Sequence, residues 1–213
     1  TVGRAGGSAG LLGEVIATIC VGRGHLKAAF SYPSTDQPGV PDRTFVSNIT
    51  DGTVSVIDND PASGTYLEVI ATIDLCDSAE EQAMGNAACD AEDPDEIVPA
   101  TPNSAVPHGI DYSPVSGKIY NANVVYGTIS VIDPVNAVID TVIDIGFANK
   151  THATPDGNFV VVKGTDESSD ADHVVGKLTV IDVSDNSFTQ TDIVDVHPDG
   201  FEFTPDGEKL YVT

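Results

Sequence analysis

One pattern recurs along this chain, and few folds can accommodate it. Its clearest copy, Pro107–Gly146, holds four short apolar-alternating runs: His108–Ser113, Lys118–Asn123, Thr128–Asp133 and Ala137–Ile145. Val, Ile and Tyr fill the runs, whereas Ser-Pro, Ser-Gly, Tyr-Gly and Asp-Pro fill the gaps. That is the chemistry of strands joined by hairpins. No helical period survives in it.

The order returns on both sides. After Gly146, His152-Ala-Thr-Pro-Asp-Gly157 answers Tyr112–Gly117, Asn158–Gly164 answers Lys118–Asn123, Lys177–Asp182 answers Thr128–Asp133, and Ser187–Val196 supplies a fourth run. A further copy begins at Pro198–Gly207 and continues into Glu208–Thr213. Upstream, His25–Tyr32, Arg43–Asn48, Gly52–Asp58 and Tyr66–Leu75 make another, and Glu14–Val21 parallels Glu68–Leu75 closely enough to predict the last strand of a preceding unit. A period of about 40 to 50 residues is that of a four-stranded propeller blade.

A lone four-stranded sheet of this kind cannot bury both apolar faces, but sheets stacked about an axis can, and the radial arrangement leaves only short edges. A parallel α/β fold would need crossover helices that most of these gaps are too short to hold. The expected fold is therefore all-β: a β-propeller of four-stranded blades, about four of them in this sequence. Residues 1–213 read as one propeller domain or part of one, with 1–13 as an irregular, Gly-rich lead-in and 76–106 as an acidic insertion.

Phe45-Val-Ser-Asn48 with Gly52–Asp58, Tyr120-Asn-Ala-Asn123 with Gly127–Asp133, and Thr204–Thr213 resemble the YVTN-type repeat of secreted and surface-layer β-propellers. The resemblance covers most of residues 13–213. It implies a ring of about seven blades, of which this sequence would be a piece, and an extracellular, cell-surface or periplasmic location. Propellers with this style of repeat include lactonase-type hydrolases, haem d1 carriers and copper oxidoreductases, so the repeat fixes fold more tightly than activity.

The formal charge of −24, from 33 acidic residues against nine Lys and Arg, opposes binding to nucleic acid or to an anionic membrane. Its ordinary consequence is solubility. No apolar stretch is long enough to span a bilayer. Cys76 and Cys89 bracket a helix-compatible acidic piece, and twelve intervening residues suit a disulfide stapling an exposed loop, which would fit export. Cys20 reads as a buried or half-buried thiol. Asp166, Glu167, Asp170 and Asp172 fall in a second insertion, Thr165–His173, whose first reading is a polar hairpin. Asp58, Asp133 and Asp182 each end a third run, and repetition at a fixed place points to turn-building carboxylates.

The sequence holds no nucleophile elbow, phosphate loop, zinc-protease helix or haem-attachment motif. Histidine is what remains. His25, His108, His152 and His197 all lie near the start of a first run, which in a propeller lines the central channel. Imidazole is a common ligand of copper and zinc. Aligning Ser113, Thr154 and Thr204 places Asp111, His152 and Glu202 at one level, the best candidate ring. The leading functional reading is a binding or scaffolding module that takes a protein or small-molecule ligand at a propeller face, with cell-surface assembly as one setting. The first alternative is an oxidoreductase holding copper or another divalent metal through His152 with His108 or His197. The second is a lactonase-type hydrolase using Asp111 and Glu202.

Overall fold

The computed structural model describes residues 15–76, 103, 105–166, 175–194 and 200–212. Among these residues the regular secondary structure is β. The first blade contains β1 (His25–Ser31), β2 (Arg43–Asn48), β3 (Thr53–Asp58) and β4 (Val69–Asp74). The second contains β5 (Pro107–Ser113), β6 (Lys118–Asn123), β7 (Thr128–Asp133) and β8 (Val138–Asp144). The third contains β9 (Lys150–Ala153), β10 (Phe159–Asp166), β11 (Val175–Asp182) and β12 (Phe188–Val194). A two-stranded sheet follows, β13 (Phe201–Phe203) and β14 (Leu210–Val212). Each four-stranded sheet pairs its strands antiparallel and in chain order, as a propeller blade does.

Period-2 alternation explains how the blades stack. In the second blade, Ile119 and Ile132 join Phe45, Val54, Val56 and Leu75 in a core shared with the first blade. Their neighbours Tyr120, Ile129 and Val131 join Val160, Val162 and Ile181 in a second core shared with the third. Every one of these side chains is almost wholly excluded from solvent. A sheet with both faces apolar is thus sandwiched between its neighbours, and burial of that apolar area is what holds the series together.

First strands form the hub. β5 packs against β1 on one side and β9 on the other. Gly109 lets β5 and β9 approach closely: its N–H donates to the Asn149 carbonyl at 2.8 Å, and a Cβ there would run into the backbone of Lys150 and Thr151. Pro107-His108-Gly109 is therefore part of a strand that carries an irregularity between Pro107 and Ile110.

The hairpins repeat side-chain devices. Asn48 Nδ2 donates to Thr53 and Ser55 hydroxyls at 3.0 and 2.9 Å, and Asn123 Nδ2 donates to Thr128 and Ser130 at 3.1 and 2.8 Å. Asp58, Asp133 and Asp182 each accept a backbone N–H two residues on, from Asp60, Val135 and Ser184. The turn-building role expected for these carboxylates is what the structure contains.

One expected strand does not form. Residues 15–21 have no strand assignment. An outer strand needs a third strand beside it, and none of the described residues offers one, so the likeness to Glu68–Leu75 is not expressed as pairing. Most of the 76–106 insertion, including Cys89, lies outside the described residues, as do Glu167, Asp170 and Asp172. The insertion's described end is tied down: Asn103 Nδ2 donates to Asp74 Oδ1 at 2.6 Å and to the Gly52 carbonyl at 3.0 Å. Cys76 is buried with its Sγ 2.6 Å from the Tyr126 hydroxyl. No helix among the described residues is long and apolar enough to cross a membrane.

Candidate functional site

Because first strands from successive blades converge, their charged side chains are forced into one neighbourhood. Lys27 of β1 interrupts an otherwise uncharged stretch, Leu26-Lys27-Ala28-Ala29-Phe30, and reaches past the second blade to the third. Its Nζ donates to the Thr151 carbonyl at 2.9 Å and stands 3.4 Å from His152 Nε2. On the other edge of the imidazole, Nδ1 stands 3.7 Å from Asp111 Oδ2. Phe201 of β13 packs edge-on against the His152 ring at a centroid distance of 4.9 Å.

Asp111 is held by the backbone. Its Oδ1 accepts the N–H of Tyr112 at 2.9 Å, and its Oδ2 accepts the N–H of Ala153 at 3.0 Å, across from the second blade to the third. The Asp111 and His152 side chains remain 32% and 27% exposed, so the cluster is supported from below and open to solvent above. Asp111, Glu202 and Lys150 all act electrostatically on both Lys27 and His152. Four sheets thus contribute Lys27, Asp111, Lys150 with His152, and Glu202 to a single group.

Burial sets its proton affinities. Removing the Lys27 ammonium from water lowers its pKa, a shift that Asp111 and Glu202 only partly oppose. Burial first, and then the neighbouring Lys27 charge, lower the pKa of His152, so the imidazole is neutral at neutral pH. A neutral imidazole in contact with a half-buried amine can accept or return a proton, which a pair of fixed charges cannot do.

The level expected for Asp111, His152 and Glu202 needs one adjustment. His152 pairs with Val161 and Glu202 with Tyr211, each three residues after the start of its second run, but Asp111 pairs with Tyr120, two residues after Lys118. Ile110 takes the equivalent level in β5. The turn Ser113–Gly117 is one residue longer than Thr154–Gly157, which shifts the register. Asp111 still reaches His152 because its carboxylate turns toward the third blade.

The other histidines lie elsewhere. His25 is exposed and lines a groove of about 490 Å3 along β1 that also reaches Lys27, with Ile19, Val46, Ile57 and Cys20, whose thiol is exposed where burial or half-burial was expected. His108 is half-buried on β5, three positions before Asp111. His197 lies outside the described residues. The two His152 nitrogens face Lys27 and Asp111, and among the described residues no three His, Cys, Asp or Glu side chains are grouped to hold one ion. Sequence reasoning missed Lys27 and Lys150: Asp111 and Glu202 were found by aligning them with His152, whereas Lys27 shows only as a lone charge inside a first strand.

No protein-family model matches the chain, and no curated protein does. Solved structures do resemble it. Hydrazine synthase of Kuenenia stuttgartiensis is 14% identical with a TM-score of 0.53, over 84% of this chain and 47% of that one. The dihydro-haem d1 dehydrogenase NirN is 14% identical with a TM-score of 0.48, over 73% of this chain and 26% of that one. The β-propeller domain of Cps50 (Swd1) from Myceliophteria thermophila is 11% identical with a TM-score of 0.47, over 93% of this chain and 64% of that one. This chain spans about a quarter to two thirds of the length of these structures. At such identities the likeness concerns fold, and the chain is an all-β protein built of propeller blades.

Proposed function

We propose that this chain is a ligand-binding module of an exported β-propeller, and that it takes a small polar ligand at the hub, over Lys27, Asp111, His152 and Glu202. The observation that carries this reading is the convergence of charged and titratable groups from four sheets on a half-open cluster. A propeller that only displayed its rim would gain nothing from placing a partly desolvated lysine there. Extracellular, periplasmic or cell-surface location, the YVTN-type kinship and the Cys76–Cys89 bond belong to the same proposal, supported by the repeat and the cysteine spacing.

The test is an NMR titration with small carboxylates, amines and carbonyl compounds, read at the His152 imidazole. Binding predicts saturable shifts that are lost in Lys27→Met. Shifts that persist unchanged in that variant, or none across the panel, would overturn it. Stoichiometric copper or zinc that is retained on purification and lost in His152→Ala would instead favour the oxidoreductase alternative.

A further inference from the structure

We propose that Lys27 is an imine-forming nucleophile, which captures small aldehydes or ketones at the hub with His152 as its proton partner. The proposal rests on the binding site described above but adds a covalent step that binding does not require.

Four observations converge. Lys27 Nζ is held at a defined place by its 2.9 Å hydrogen bond to the Thr151 carbonyl, so the amine does not sample the open range of a surface lysine. His152 Nε2 stands 3.4 Å away, within reach for accepting a proton from the ammonium or returning one to the developing alkoxide. His152 is in turn bracketed by Asp111 at Nδ1 and by the Phe201 ring, which restrict its orientation. Finally, the cluster opens to solvent at Asp111 and His152, so a small carbonyl compound has a route in. Nucleophile, base and orienting carboxylate in series are the arrangement that an activated lysine requires. Burial adds to it by favouring the neutral amine.

The step balances without a co-reactant. The neutral Lys27 amine attacks the carbonyl carbon, forming a C–N bond as the C–O π bond opens. His152 takes a proton from the nitrogen of the zwitterionic adduct and returns it to the oxygen, and the neutral carbinolamine then loses water to leave a neutral imine, which water protonates to the iminium. No electrons are transferred between molecules. Water reverses the step, so the adduct is a reversible tether unless it is reduced.

The experiment exposes the folded protein to propionaldehyde, and separately to glyoxylate, with cyanoborohydride present to trap imines. Peptide mapping then follows each of the six lysines, Lys27, Lys118, Lys150, Lys163, Lys177 and Lys209. Lys27 is expected to be labelled first, roughly tenfold faster than the exposed Lys209, with His152→Asn removing most of that advantage while circular dichroism stays unchanged. In Lys27→Arg, which keeps the charge, the fast-labelling site should vanish without transfer to Lys150. Labelling that follows exposure, with Lys209 ahead of Lys27, would overturn the proposal. So would full reactivity of Lys27 in His152→Asn. Saturable hub shifts in the NMR titration without any trapped adduct would also overturn it while leaving the binding reading in place; absence of both would remove the two together.

Discussion

The strand-end turns and the hub are built from the same repeat but use it in opposite ways. At the turns, the same residue returns in each blade and does the same work: Asp58, Asp133 and Asp182 each accept the N–H two residues ahead. At the hub, successive first strands place Lys27, Asp111, His152 and Glu202, four different side chains that acquire meaning only together. A residue repeated blade by blade is satisfied within its own blade. A residue that breaks the repeat at the hub finds its partners in other blades, and that is where specific chemistry can reside.

If this division is right, substitutions at repeated positions should cost stability and those at the hub should cost little. The largest loss is expected for Asn123→Ala, which removes buried hydrogen bonds to Thr128 and Ser130 as well as one accepted from Asn121 at 2.8 Å. Leaving those groups unpaired should cost about 2–3 kcal/mol in urea unfolding. A loss below about 0.5 kcal/mol would break the comparison at its firmest point.

Asp58→Ala should cost less, about 1–2 kcal/mol, because its carboxylate accepts from the Asp60 N–H and the Thr65 hydroxyl while standing only 8% exposed. Its acid dependence sharpens the test. Hydrogen bonds from Ser63 and Thr65 lower its pKa from 3.8, so its contribution is complete above about that value and is lost as pH falls through the lower native one. Asp58→Ala should therefore flatten the stability profile in that acid window, as followed by thermal unfolding.

Much of the fold was legible because a period-2 pattern interrupted by Gly and Pro permits few alternatives once it recurs. Strands such as Lys118–Asn123 and Thr128–Asp133 lie where the pattern predicts. Residues 15–21 show the limit of that reading: a strand-like sequence forms no strand without a neighbour to accept its hydrogen bonds. The hub was half legible. Asp111, His152 and Glu202 could be found by asking what stands inside a first strand, whereas Lys27 escaped because its partners are Thr151 and His152, more than a hundred residues away. Side-chain reach across a ring is a property of the assembled blades, not of any local window.

Lys27→Met is expected to change stability by less than about 1 kcal/mol in either direction, because losing the ammonium also removes the cost of burying it. Guanidinium unfolding measures this, and a loss comparable to that of Asn123→Ala would place Lys27 among the structural residues and erase the contrast. In the wild type, His152 favours the neutral state on folding, so stability should fall as pH drops below about 6.5 toward its lowered native value. Lys27→Met should weaken that dependence, since Lys27 is one of the charges responsible; Lys150 still opposes protonation there, and Asp111 and Glu202 still favour it.

The most direct test is the NMR titration of the His152 imidazole in the wild type, Lys27→Met and Glu202→Gln. A coupled hub predicts a wild-type midpoint below the ordinary histidine value, raised when Lys27 loses its charge and lowered further when Glu202 loses its own. A midpoint at the ordinary value and unmoved in both variants would mean that these blades do not share one site.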